Sequence, residues 1–247
     1  MGLPKLTVPE YSLILPSNGK EIKYRPFLVK EEKLLLIAME SEDEAQIITA
    51  TKNVIRNCIF GDIDVDSLPI FDIEYVFLWL RGRAKGEKIE LKYNCPECKS
   101  DVPITFSIED VNVDRPEGHE QKIQINSDLG VMMKYPDMLL QSQIENSKET
   151  SQVENLFNTI RLSIDYIYDA EKMYSTKDHT QDEMTEFLES LSDEQFQKIS
   201  KFFETMPKLK HTVKLHCKNN TAGKGKKKTI CGYEEDITLE GLQSFFV

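Results

Sequence analysis

Histidine, tryptophan and cysteine are scarce in this sequence, with four, one and five residues among 247. It also has no apolar run near the roughly 20 residues that span a bilayer, so we expect no membrane span. Basic residues are fewer than acidic ones, 31 against 42, and the formal net charge is -11. General attraction to nucleic acid depends on clustered Lys and Arg, so this balance predicts little of it, and any nucleic-acid contact would have to be local.

Sequence motifs of common enzyme classes are also absent. The chain has no Gly-x-Ser-x-Gly, no His-Glu-x-x-His and no glycine-rich dinucleotide turn. The stretch TAGKGKKKT lacks the spacing of a phosphate-binding loop. A pair of catalytic carboxylates cannot be picked from 42 acidic residues, most of which are expected on solvated helix faces. We therefore predict a protein that is not an enzyme and has no small-molecule substrate.

The beginning of the sequence, Met1-Gly2-Leu3-Pro4-Lys5, leads into polar residues and not into an apolar signal core. This predicts a cytosolic protein, at least where it is made. In a reducing cytosol, closely spaced cysteines more often bind metal or do redox chemistry than form structural disulfides.

Periodicity and turn residues predict an α+β protein made of helical segments and short antiparallel strands. Asn18-Gly19 separates two β-like runs and favours a hairpin. Two capping boxes, Thr180 with Glu183 and Ser192 with Gln195, predict helix starts. The predicted regions are an extended N-terminal arm or hairpin at 1–27, a helical region at 28–87, a composite ribbon at 88–107 plus 211–238, a β-hairpin and helical region at 108–210, and a C-terminal tail helix at 239–247.

Apolar stripes add detail to the helical regions. Positions 44–57 form a helix whose apolar face includes Cys58, and the next helix, around Trp79, is apolar almost all round. After Pro136 the chain is predicted to be helical for some 70 residues, with an apolar stripe that runs on through Ile164 and Ile167 to a stop at Pro207.

Four of the cysteines fall in two segments of the same design, in which a strand, Cys, turn, Cys and strand follow one another. The first segment contains Cys95 and Cys98, and the second contains Cys217 and Cys231. A zinc ribbon has this construction, because two hairpin knuckles each supply two thiolates and the four sulfurs close a tetrahedron. We predict one structural zinc ion on these cysteines. Free cysteines left from a lost site and a disulfide or redox role are the alternatives.

The second knuckle departs from the usual spacing, because thirteen residues separate its cysteines where two to four are usual. Their composition, rich in Gly, Asn and Lys, predicts a flexible insertion at the knuckle tip, whose closure entropy grows slowly with length. Gly232 suits the turn after the last cysteine. His216 adjoins Cys217, but neighbouring side chains of a strand face opposite sides, so His216 is not expected to be a ligand.

The basic insertion raises an alternative function. Its lysines, Lys218, Lys224, Lys226, Lys227 and Lys228, could contact nucleic acid, as zinc ribbons often do, although no aromatic residue lies among them to stack on a base. A solvated tip explains the same composition. A zinc-ribbon nucleic-acid-binding or regulatory protein is therefore the alternative function.

Three stretches together resemble the baseplate proteins of T4-like contractile-tailed bacteriophages, the group that includes the baseplate hub subunit and hub assembly proteins. These are YRPFLVKEEKLLLIAMES, YNCPEC and EEDITLEGLQSFF. In that family the second cysteine pair is typically a compact CxxCG, from which this sequence departs. The resemblance implies a structural or assembly component of the central hub, with other baseplate proteins as partners, located in the host cytoplasm during assembly or in the virion tail baseplate.

Apolar segments suggest where such partners bind. The helix around Trp79 and the terminal LQSFFV, with Phe245 and Phe246, are the kinds of segment that dock on other subunits. Each could equally complete the core of this chain. A hub-associated hydrolase is a third hypothesis, which has only the cell-wall chemistry common near phage tail tips to motivate it.

Overall fold

The computed structural model describes residues 7–41, 43–138, 140, 151–221, 229–241 and 244. These residues contain six α-helices and fourteen short strands, and every strand pairing is antiparallel. The predicted mixture of helices and short antiparallel strands is therefore confirmed. None of the described helices is both long and apolar enough to cross a bilayer.

The chain divides into two compact units. Unit 1 comprises Met1–Val65, Phe71–Asp114 and Lys208–Val247, and unit 2 comprises Asp66–Ile70 and Arg115–Pro207. Residues 115–207 leave unit 1 after strand β6 (Asn112–Asp114) and return at strand β11 (Lys208–His216), and Asp114 is paired with Lys208. The two ends of this long segment therefore lie side by side on one pair of strands.

Unit 1 begins with a hairpin and three helices. The elements are β1 (Tyr11–Ile14), β2 (Glu21–Tyr24), α1 (Val29–Glu40), α2 (Glu44–Cys58), β3 (Ile59–Phe60) and α3 (Ile70–Lys85). The predicted hairpin is confirmed, and Gly19 takes the positive φ of 70° that its turn needs. Leu15, Ile22 and Tyr24 are buried, so this segment packs within the chain.

The rest of unit 1 is built from strands. They are β4 (Lys88–Asn94), β5 (Asp101–Ser107), β6 (Asn112–Asp114), β11 (Lys208–His216), β12 (Asn220–Thr221), β13 (Thr229–Ile230) and β14 (Glu234–Glu240). β4 pairs with β5, β12 pairs with β13, and a three-stranded sheet has the order β14-β11-β6. β14 includes Leu239 and Glu240, the first two residues of the predicted tail helix. Most of that helix lies outside the described residues.

Alternate residues of β4, β5 and β11 point into one core with the inner face of α3. Ile89, Phe106 and Leu215 are buried there beside Leu78. This period of two is what an antiparallel sheet with one buried face requires. Cys95 and Cys217 belong to the same buried cluster, so the cysteine region lies on the core of unit 1.

Unit 2 has its own sheet and its own core. Its elements are β7 (Lys122–Gln124), β8 (Gly130–Met133), α4 (Gln152–Ser163), β9 (Ile164–Tyr168), β10 (Met173–Ser175), α5 (Gln181–Glu189) and α6 (Asp193–Thr205), and the strand order is β10-β9-β8-β7. Both predicted capping boxes are confirmed at the starts of α5 and α6. α6 ends before Pro207, as predicted.

The continuous helical stretch predicted after Pro136 is wrong. α4 ends at Ser163, and Ile164 and Ile167, predicted on its apolar stripe, lie in β9 and pair with β8. Both are still buried in the core of unit 2. The residues that follow, Asp165-Tyr166-Ile167-Tyr168, are rich in the β-branched and aromatic side chains that favour strands, and this preference overrides a stripe of three- and four-residue steps.

Candidate metal centre

The first cysteine knuckle closes the hairpin of β4 and β5. The Cys95 amide donates to the Ser100 carbonyl at 3.0 Å, and the Lys99 amide donates to the Cys95 carbonyl at 2.9 Å. Lys99 has a φ of 58°, a left-handed conformation that non-glycine residues seldom adopt. The turn places the sulfurs of Cys95 and Cys98 on the same side, against the core.

The second knuckle repeats this backbone pattern between β11 and β14. The Cys217 amide donates to the Tyr233 carbonyl at 2.8 Å, and the Gly232 amide donates to the Cys217 carbonyl at 3.0 Å. Gly232 has a φ of 68°, matching Lys99 in the first knuckle. Each knuckle thus has a left-handed residue directly after its second cysteine, and glycine suits that position best.

The thirteen-residue spacing does not alter this closure. Asn220 and Thr221 of β12 pair with Ile230 and Thr229 of β13, so the inserted segment leaves the knuckle as a two-stranded stem. The Cys231 amide donates to the Asn219 carbonyl at 2.9 Å, which brings the two ends of the insertion together. Lys224, Lys226, Lys227 and Lys228 lie outside the described residues.

The four sulfur atoms converge although their knuckles are far apart in sequence. Cys95 Sγ lies 3.8 Å from Cys231 Sγ, Cys98 Sγ lies 3.5 Å from Cys217 Sγ, and all four lie within 4.8 Å of one another. A tetrahedral site with Zn–S bonds of about 2.3 Å has sulfurs about 3.8 Å apart. A disulfide needs about 2.05 Å. The spacing is compatible with a four-thiolate metal site and too long for a disulfide, and all four cysteines are free here.

The electrostatics of the cluster favour a bound cation. The Ser100 hydroxyl and backbone amide both hydrogen bond to Cys98 and lower its pKa to about 6. At Cys217 the Asn219 amide favours the thiolate, but burial and the neighbouring sulfurs outweigh it and raise the pKa to about 12. Four thiolates at this distance would repel one another, and a divalent metal bound to all four would offset that repulsion.

The donor set fits zinc in a structural role. Four cysteine sulfurs are the ligands of closed tetrahedral sites, which leave no position for water or substrate. Among the described residues this is the only cluster of three or more His, Cys, Asp or Glu side chains that could hold a metal ion. His216 is exposed and its Nδ1 lies 2.6 Å from Glu234 Oε1, so it is no part of the cluster.

Three residues that the sequence did not single out complete the site. The backbone amides of Ser100, Asn219 and Tyr233 hydrogen bond to the cysteine sulfurs two positions before them. The Asn219 side chain also donates to the Asp101 carbonyl at 3.1 Å and so joins the two knuckles. All three residues stand two positions after a cysteine of a knuckle, and this spacing is the sequence signal that could have identified them.

Trp79, predicted to contact a partner, lies on α3 and packs against the core of unit 1. Its ring makes an edge contact with the Tyr75 ring, with 6.2 Å between the ring centroids. The Arg83 guanidinium carbon lies over the Trp79 ring, 5.4 Å from its centroid. The indole Nε1 is buried and has no hydrogen-bond partner among the described residues. Phe245 and Phe246 lie outside the described residues.

The comparisons with known proteins give the family. The model of the T4 bacteriophage base plate protein family matches residues 8–247, nearly the whole chain. The chain belongs to this family. The base plate family indicates a structural component of the phage tail that interacts with other phage proteins. No match was found among curated proteins or among solved structures. The resemblance seen in the sequence is thereby confirmed at the level of the base plate.

Proposed function

We propose that this base plate protein is a structural or assembly component of the central hub, in which one zinc ion on Cys95, Cys98, Cys217 and Cys231 fixes the fold. The observation that carries the proposal is the convergence of two matching knuckles on one close set of four sulfurs, in a chain of the base plate family. The metal would join positions that are 136 residues apart, from Cys95 to Cys231. Its role is structural, because four thiolates leave no open coordination position.

The hub assignment has its support in the three sequence stretches that resemble T4-like baseplate proteins, the group that includes the hub subunit and hub assembly proteins. A permanent hub subunit and a transient assembly factor differ in one observable way, because only the subunit remains in finished particles. Trp79, Phe245 and Phe246 are proposed as contacts to neighbouring subunits. The host cytoplasm is where assembly would take place.

The test combines metal analysis with binding. We expect one zinc per chain by elemental analysis of the purified protein, and co-elution with one or more hub subunits in size-exclusion chromatography. A chain that folds without metal, or that stays alone in the presence of every hub subunit, would contradict the proposal. The nucleic-acid alternative makes a different prediction, namely DNA binding that weakens with salt and with Lys to Ala changes at 224 and 226–228.

A further inference from the structure

The helix α1 has an unusual distribution of apolar residues. It buries Glu31 and Ala38, whereas most of its large apolar side chains are exposed. The exposed fractions are 80% for Val29, 46% for Leu34, 52% for Leu36, 53% for Ile37 and 52% for Met39. A surface helix normally buries its apolar residues and exposes its charges. An apolar patch of this kind on one short helix is typical of a protein-protein contact.

The charges within this patch are ordered along the helix. With 100° per residue, Lys33, Leu36, Ile37 and Glu40 fall within an arc of about 100°, which also contains Val29. We call these five residues the α1 strip. Lys33 and Glu40 are both exposed, and neither forms an ion pair within the described part of the chain. The strip therefore has a positive charge on one side of an apolar centre and a negative charge on the other.

The order of charged and apolar residues along the α1 strip is complementary to that of a second strip that runs in the opposite direction. If a second α1 packs antiparallel about a two-fold axis between Leu36 and Ile37, Leu36 of each copy faces Ile37 of the other. Lys33 of each copy then faces Glu40 of the other, so two opposite-charge pairs flank an apolar centre. Closed two-fold dimers require such a self-complementary surface, in which residue i contacts residue j and j contacts i.

The end of α1 supports the same partner. Its last turn has no basic residue and contains Glu40, although the negative end of a helix dipole favours cations there. An antiparallel second copy places Lys33 and the positive end of its own dipole beside Glu40. We propose that the α1 strip is a homodimer interface and that its occupant is α1 of a second copy of this chain.

The strip is about 18 Å long, which is short for a permanent interface of roughly 800 Å² per partner. We expect a reversible dimer, populated at concentrations of about 10 to 100 μM. The proposal does not depend on the metal or on the hub assignment, since all five residues lie outside the cysteine cluster. Zinc content is therefore expected to be the same in every variant below.

Sedimentation equilibrium of the full zinc-loaded chain tests the proposal through charge reversal. Lys33→Glu and Glu40→Lys each place like charges opposite one another twice, so each is expected to raise the dissociation constant by at least about tenfold. The double variant Lys33→Glu with Glu40→Lys restores both pairs and the native net charge, and is expected to dimerise like the wild type. Leu36→Asp removes the apolar centre and is expected to give a monomer.

Matched controls are available in unit 2, where Lys201→Glu and Glu186→Lys change the net charge equally at exposed helix positions. These are expected to leave dimerisation unchanged, and circular dichroism checks that every variant is folded. A wild-type monomer at about 100 μM would overturn the proposal. So would a double variant as weak as the single ones, a dimer indifferent to all reversals, or α1 contacts that form only with a different base plate protein.

Discussion

The cysteine side chains divide into four that act together and one that does not. The sulfurs of Cys95, Cys98, Cys217 and Cys231 lie within 4.8 Å of one another, whereas Cys58 lies at the end of α2. Cys58 is fully buried, and burial raises its pKa to about 11. It therefore behaves as a small apolar side chain and not as a nucleophile or a ligand.

Cys95→Ser is expected to abolish zinc binding and to lower the melting temperature strongly, because apparent zinc binding at such sites is worth on the order of 10 kcal/mol. Elemental analysis and calorimetry measure both effects. Cys58→Ala is the matched control: it removes a buried sulfur and is expected to leave the zinc content unchanged. Unchanged melting and full zinc content in Cys95→Ser would contradict the proposed metal site.

Arg25 and Glu31 form an ion pair in the helical part of unit 1. Arg25 Nη2 lies 2.9 Å from Glu31 Oε1 and donates to the Asn57 carbonyl of α2 at 2.9 Å. Glu31 also accepts from the Leu28 amide at 2.8 Å, at the start of α1. Burial alone would raise the pKa of Glu31, but the Arg25 guanidinium and the Leu28 amide outweigh burial and lower it.

Glu31→Gln is expected to destabilise the fold by about 3 kcal/mol, because it leaves the Arg25 charge without its partner. Because the pKa of Glu31 is lower in the folded protein than in the unfolded chain, the Arg25–Glu31 pair contributes its full stability to the fold above the ordinary Glu pKa of about 4.3. This stability is lost as the pH falls through the lowered folded value. Urea titrations between pH 3 and 7 should show a smaller acid loss in Glu31→Gln than in the wild type. Exposed Lys30→Gln serves as control, with an expected change under about 0.5 kcal/mol.

Among the elements, the stem of β12 and β13 separates the cysteine cluster from the rest of the insertion. The hydrogen bonds that join Cys217 to Gly232 and Tyr233 do not require residues 220–230, and a direct link would replace the bond from the Cys231 amide to the Asn219 carbonyl with a peptide bond. Joining Asn219 directly to Cys231 would give Cys-Lys-Asn-Cys-Gly, the compact spacing that the resemblance led us to expect.

Deletion of residues 220–230 is therefore expected to keep one zinc per chain and to change the melting temperature by only a few degrees. Closing a shorter loop costs less entropy, which offsets the loss of the small stem. Elemental analysis and calorimetry measure the outcome, with Cys231→Ser in the deleted chain as the metal-free control. Loss of zinc on deletion would mean that the insertion itself holds the knuckle together.

Predictions from sequence succeeded where the determinants are local. The hairpin at Asn18-Gly19 and the capping boxes at Thr180 and Ser192 depend on residues close together in the sequence, and all three are confirmed. The prediction for β9 failed because β8, the strand that pairs with it, lies more than thirty residues earlier in the sequence. The cysteine pairs were visible from their flanking strands. The equivalence of Lys99 and Gly232 could be recognised only from the hydrogen bonds of the structure.

At the scale of the whole chain, each unit has its own core, and the proposed metal would add stability to unit 1 alone. Unit 1 would owe part of its fold to the zinc, since both knuckles lie on its core. Unit 2 has a separate core, with residues such as Val131, Ile160 and Phe202 buried among themselves. Residues 115–207 are flanked by the paired residues Asp114 and Lys208, at the start of β11. Cys217 follows the other end of β11, so loss of the proposed metal would perturb unit 1 at that end.

Chelation of the metal is therefore expected to affect the two units differently in hydrogen exchange. In EDTA, amides of β11 and β14 such as Val213 and Ile237 should lose most of their protection, whereas Val131 and Ile167 in unit 2 should keep theirs. Cys95→Ser without EDTA should reproduce the chelated pattern, and EDTA should then add nothing. Equal loss in both units would show that unit 2 depends on the ribbon. Protection that is unchanged everywhere would show that the fold of unit 1 needs no metal.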